Sequence, residues 1–151
     1  MAFTVLLCTD GSEVALHALA AGLAVVGHPD RVVVATVIDA VDPSLVIGTG
    51  FAGGVMTPQQ SLEMTEAADT SAQATLQATV AALGLQGAET TVLVGEAGRE
   101  LCDYAATLPA SVVVIGTRGR SGIKRAMLGS VSDHVVRHAP CPVLTSTSGG
   151  D

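Results

Sequence analysis

Between Gly116 and Ser130 the chain reads Gly-Thr-Arg-Gly-Arg-Ser-Gly-Ile-Lys-Arg-Ala-Met-Leu-Gly-Ser, a combination suited to holding an anion. The stretch follows the unbroken apolar run Val112, Val113, Val114, Ile115. It places Gly119 three residues after Gly116, then crosses nine residues to Gly129 and Ser130, where a helical period through Val131, Val135 and Val136 begins. The expected local structure is strand, loop and helix start. The first N–H groups of a helix have no intrahelical partner and carry the positive end of the macrodipole, so a phosphate settles there readily. Glycines would let the turn reach positive φ and would remove the Cβ atoms that keep a phosphate off the backbone amides. Ser130, at or just before the first helical turn, is expected to cap the helix or to give its hydroxyl to a phosphate oxygen.

Charge points the same way. Four of the seven Lys and Arg residues (Arg118, Arg120, Lys124, Arg125) fall inside this loop of a chain whose formal net charge is -7. The plain alternative is a solvated glycine-rich connection with incidental arginines.

The spacing Gly116-x2-Gly119-x9-Gly129-Ser130, with Val131 and Ser132 after it and Ala139, Pro140, Cys141, Pro142, Val143 and Leu144 near the end of the chain, resembles the universal stress protein family. The resemblance covers essentially the whole chain and is to the branch that binds ATP. It implies that Gly116, Arg118, Gly119, Gly129, Ser130, Val131 and Ser132 hold the phosphates and ribose of ATP, with or without Mg2+. It also implies that Asp10, preceded by Thr9, lies at the adenosine end, where a carboxylate accepts from ribose hydroxyls or the adenine amine. Val37 matches the second-strand position whose backbone meets the adenine edge, and Ile115 matches a position lining the same pocket. Read without the family, Asp10 or Ser12 is a helix cap, and Val37 and Ile115 are core strand residues.

Those positions have to be carried by a framework, and the apolar pattern supplies one. Four runs are apolar without alternation, as buried parallel strands are: Thr4 to Cys8, Val32 to Ile38, Thr91 to Val94 and Val112 to Ile115. A fifth is Val143 to Thr145. Helical periods separate them: Leu16, Leu19, Leu23 and Val26; then Ala68, Ala72, Leu76, Val80 and Leu83; then Leu101, Ala105 and Leu108. Strand and helix alternating with short connections predict an α/β, doubly wound parallel sheet with helices on both faces, whose ligands bind beyond the carboxyl ends of the strands. Asp10, Asp39, Gly95 with Glu96, and Gly116 all fall at such ends. The resemblance adds five strands in the order 3-2-1-4-5, which sets the first and fourth strand ends side by side.

Composition narrows the function classes. A chain of 151 residues and 15.1 kDa has room for one domain, here residues 1–151. One Tyr, two Phe, no Trp and a pI near 4.8 argue against reading nucleic acid, which calls for stacking rings and a basic groove. No apolar run approaches a membrane span, and the N-terminal residues lack a signal pattern, so a cytoplasmic protein without membrane contact is expected. Cys8, Cys102 and Cys141 are odd in number and far apart, as reduced, buried thiols are.

Residues 39–60 dissolve into Ala, Gly, Pro, Ser and Thr and read as a mobile loop, a lid over the nucleotide or a partner surface. Their Gly48-x-Gly50-x-x-Gly53 match is a decoy, because a dinucleotide fingerprint sits in the turn directly after a strand and opens a helix. His134 and His138 share a helix face but have no third ligand at suitable spacing, so a role at the helix C-terminus is preferred to zinc. Neither a receiver domain's phosphoacceptor Asp after the third strand nor a Walker A sequence is present.

Three functions remain open. The first is an ATP-binding regulatory module in which nucleotide state changes dimer or partner contacts; the second is a slow ATPase or self-phosphorylating enzyme, with Ser130 and Ser132 the positions to watch; the third is a scaffold that ignores nucleotide. No catalytic residue is assigned. A homodimer through the last strand is expected from the resemblance, although Thr145 to Ser148 stand where the family has aliphatic residues.

Overall fold

The structure is a computed structural model that describes residues 1–48, 54–117 and 128–147. The apolar runs become a parallel sheet because they are covered on both faces. β1 (Thr4–Cys8) and β4 (Val112–Gly116) are buried at every position, with no polar alternation to give them a wet side. β2 (Arg31–Ile38), β3 (Glu89–Val94) and β5 (Val143–Ser146) complete the order β3-β2-β1-β4-β5, all parallel, as the resemblance implied.

Successive strand residues go to opposite layers. Leu6, Cys8, Val33, Ala35, Val113 and Ile115 face α3 (Ala97–Thr107) and α4 (Ser130–His138), where Leu101, Ala105 and Val135 meet them. Val5, Leu7, Val34, Val112 and Val114 face α1 (Glu13–Val26) and α2 (Pro58–Ala82), where Leu19 and Leu76 fill the layer. Each buried Val, Leu or Ile among them contributes roughly 1.5–3 kcal/mol. No described helix is long and apolar enough to cross a membrane.

The clearest departure from the sequence reading concerns residues 39–60. They contain a 3-10 turn (Pro43–Leu45), a bridge between Val46 and Met56, and the start of α2. α2 begins at Pro58, ten residues before the first periodic alanine. Thr57 accepts from the N–H of Gln60 (3.1 Å) while Gln60 Oε1 accepts from the N–H of Thr57 (2.8 Å), a reciprocal capping box. The first turns were invisible to a periodicity argument because the helix's buried residues begin only at Ala72. Residues 49–53 of the glycine-rich stretch lie outside the described residues.

α1 lies so close to the sheet that a Cβ on Gly22 would fall on the Val114 side chain and come within 3.1 Å of Leu144 Cδ2. Gly22→Ala gains helix propensity but overpacks this contact, and it is expected to lower stability by about 1–2 kcal/mol. A urea midpoint that falls at constant m-value is the expected result; an unchanged midpoint would mean that Val114 gives way freely.

Candidate functional site

At the carboxyl ends of the central strands lies one cleft of about 340 Å³, with Thr9, Asp10, Val37, Ile115, Gly116, Gly129, Ser130, Val131 and Ser132 among its lining residues. The structure therefore brings together nine of the eleven residues singled out from sequence. The other two, Arg118 and Gly119, lie outside the described residues with Arg120, Lys124 and Arg125.

The cleft exists because β1 stops early. Cys8 pairs with Ala35, the Thr9 N–H donates to the Ala35 carbonyl (3.0 Å), and the chain then turns away, while β2 continues beside β3 to Ile38. Alternate residues of a parallel strand bond to opposite neighbours. The Ile38 carbonyl accepts from Gly95 on the β3 side (3.0 Å), so Val37 directs its N–H and C=O to the other side, past the end of β1 and into the cleft. Val37, Leu101 and Ile115 give the adjoining wall an apolar surface.

The turn after β1 is held by its own side chains. Thr9 Oγ1 accepts from the Gly11 N–H (3.0 Å), Asp10 Oδ1 accepts from the Ser12 N–H (2.9 Å), and Ser12 Oγ accepts from the Ala15 N–H (3.1 Å). Ser12 is thus the N-cap of α1. Asp10 braces the turn before it and is itself one of the residues lining the cleft.

Two other helices begin close by, and they differ. α3 is closed by Glu96, whose carboxylate accepts from the N–H groups of Gly98 (3.1 Å) and Arg99 (2.9 Å). Among the described residues no side chain caps α4: its N-cap is Gly129, which corrects the expectation that Ser130 caps it. Ser130 is the first helical residue and is exposed. The first helical bond runs from the Asp133 N–H to the Gly129 carbonyl (2.8 Å), so the N–H groups of Ser130, Val131 and Ser132 lie ahead of the ladder, at the cleft.

Glycine at 129 is also explained differently than expected. Its φ is -66° with extended ψ, a conformation open to any residue, and Gly116 is likewise not among the positive-φ glycines. A Cβ on Gly129 would sit at an ordinary 3.4 Å from the Thr117 carbonyl. What glycine supplies is the lack of a side chain that would occupy the α4 amides. Gly98 is different: a Cβ there would press to 2.8 Å on His134, so this glycine allows α3 and α4 to close on each other.

The His134 and His138 rings stack with centroids 4.3 Å apart, and His138 Nδ1 lies 2.9 Å from the His134 carbonyl oxygen. Among the described residues no three His, Cys, Asp or Glu side chains gather as a metal site. Sequence reasoning did not single out Cys8, Ala15, Ala35, Thr36, Ala97, Leu101 and Thr117 as lining residues. Cys8, Thr36 and Thr117 adjoin Thr9, Val37 and Gly116 and so carried a local signal; the others reach the cleft through strand register and helix packing.

The comparisons with known proteins agree with this architecture. The model of the Universal stress protein family matches residues 1–146. A universal stress protein of Methanocaldococcus jannaschii is 40% identical over 55 residues, 36% of this chain and 32% of that protein. The aligned stretch spans about a third of the length of the curated relatives matched. Among solved structures, UspA from Lactobacillus plantarum superposes with TM-score 0.73 at 21% identity, over 96% of this chain and 98% of that one. A universal stress protein in complex with cAMP gives 0.62 at 23% identity over 98% and 99%. An Arabidopsis thaliana family member with AMP bound gives 0.61 at 17% identity over 94% and 89%. At these identities the structural likeness concerns the fold.

The Glu96 carboxyl is held below the ordinary glutamate range by the N–H of Arg99 first and of Gly98 second, with nearby His134 and Arg99 adding to this and desolvation opposing it. Its contribution to stability is therefore complete above the unfolded value of 4.5 and is lost as pH falls through the lower folded value. Thermal unfolding of Glu96→Gln should show a deficit at neutral pH that shrinks as the pH is lowered below 4.5. A deficit that stayed constant over that range would show that the cap does not depend on the carboxylate's charge.

Proposed function

The chain belongs to the universal stress protein family, and on that premise we propose that it binds an adenine nucleotide, ATP with or without Mg2+ or a shorter relative, across the ends of β1, β2 and β4. In this reading it is a regulatory module whose nucleotide state alters its contacts with partners. The observation that carries the proposal is that the start of α4, which no side chain among the described residues caps, and the β2 edge at Val37, beyond the last β1 pair, line the same cleft. That family members have been solved with cAMP and with AMP supports it.

The residues fit the parts of such a ligand. The Val37 carbonyl would accept from the adenine amine and its N–H would donate to the neighbouring ring nitrogen, with the ring against Leu101 and Ile115. Guanine presents the opposite donor and acceptor order at that edge, so it would leave both groups unpaired. The Asp10 carboxylate suits ribose hydroxyls. The Ser130, Val131 and Ser132 amides suit a phosphate, each bond to a charged oxygen being worth about 1.5–3 kcal/mol. The volume is at the lower end of small-molecule sites, which run from about 300 to 1,000 Å³.

Thermal unfolding tests this. ATP or AMP at a hundred times its dissociation constant should add about 2.7 kcal/mol, a rise of about 5–10 °C for a chain of this size. GTP at the same concentration should do much less. Gly129→Asp should leave the free protein's stability within about 0.5 kcal/mol while abolishing the shifts from phosphate-bearing ligands and sparing that from adenosine. No response to any adenine nucleotide would reject the function, and a retained ATP shift in Gly129→Asp would reject α4 as the phosphate end.

A homodimer through the outer edge of β5 belongs to the same proposal, since β5 is the last strand of the sheet and Thr145 is exposed on it. Thr keeps strand pairing available there. Sedimentation at micromolar concentration should give the mass of a dimer; a monomer would remove it.

A further inference from the structure

Ser132 is a cleft residue whose hydroxyl is committed to the protein. It is 3% exposed, and Oγ donates to the Gly129 carbonyl at 3.1 Å and reaches the Thr117 carbonyl at 3.4 Å. The Gly129 N–H donates to that same Thr117 carbonyl at 2.8 Å. A hydroxyl has one proton, and sharing it between two carbonyls leaves none for a ligand oxygen. Thr117 directly precedes residues 118–128 in the chain and Gly129 directly follows them. The two donors from the start of α4 therefore clasp the ends of that segment to the tip of β4.

We propose that Ser132 is a positioning residue: its hydroxyl holds the first turn of α4 against β4, so that the Ser130, Val131 and Ser132 amides converge on one phosphate without its side chain touching the ligand. This rests on the nucleotide reading of the cleft, and it gives the Ser132 hydroxyl a role that the motif alone does not assign. The physical basis is preorganisation. Amides held convergent before binding need no further ordering when the phosphate arrives, and a supporting hydrogen bond can set affinity from behind the contact layer.

The test separates phosphate from nucleoside. Calorimetric titration of Ser132→Ala should show AMP affinity about fivefold weaker and adenosine affinity within about twofold of the parent, since one hydrogen bond is worth roughly 1 kcal/mol and lies only behind the phosphate end. Amide exchange at Gly129 should quicken about fivefold in the same variant, while exchange at Val113, which donates to Pro142 elsewhere on β4, stays as it was. If Ser132→Ala does not fold, Ser132→Cys, of similar shape but a poor donor, carries the same expectations. Parallel loss of adenosine and AMP, unaltered AMP affinity, or unaltered Gly129 exchange would overturn the proposal. If the parent protein binds neither adenosine nor AMP, the nucleotide reading falls and the role in phosphate affinity with it, whereas the clasp is still decided by Gly129 exchange.

Discussion

The β1 ladder ends at Cys8 and Ala35, whereas β2 runs on to Ile38. A backbone group turned toward a missing neighbour needs another partner, water or ligand, and in this fold that obligation falls on Val37. The sheet cannot shift to close the gap, because β1 and β4 are buried throughout and layered on both sides by Val, Leu and Ile at close packing. The early end of one central strand thus leaves a cleft at that end of the sheet, with the β2 edge at Val37 on its wall. The turn from Thr9 to Ser12, braced by the side chains of Thr9, Asp10 and Ser12, leads the chain out of the way.

Helix capping gives the cleft its polarity. α1, α2 and α3 each have an N-terminal side-chain cap, from Ser12, Thr57 and Glu96 respectively, while α4 starts at a glycine. The Glu96 carboxylate occupies the amides of α3 and places negative charge there, whereas among the described residues no side chain occupies the amides at the start of α4.

The glycines divide by cause. Gly22 and Gly98 are packing residues, each replacing a side chain that would strike Val114 or His134. Gly129 has neither positive φ nor a tight neighbour, and as the N-cap of α4 it brings no side chain to the helix start. From the sequence these three look alike; what separates them is the surroundings of a missing Cβ, which are set by other elements.

The sequence by itself determined which segments became strands and helices, because burial on both faces and the 3.6-residue period are written locally, and Thr4–Cys8 and Val112 onward needed no tertiary information. It failed for the first turns of α2, where no residue is buried and the start is marked by the Thr57–Gln60 box and Pro58 rather than by an apolar period. It collected the candidate residues but not their roles, as Ser130, Gly129 and Ser132 each illustrate. Tertiary structure alone decided which polar groups are left over. Whether Val37 is paired depends on where a strand 29 positions back stops, and whether the Ser132 hydroxyl is available depends on a carbonyl 15 positions back. Hydrogen bonding is a matter of distance in space, and these distances are fixed only when the chain has folded.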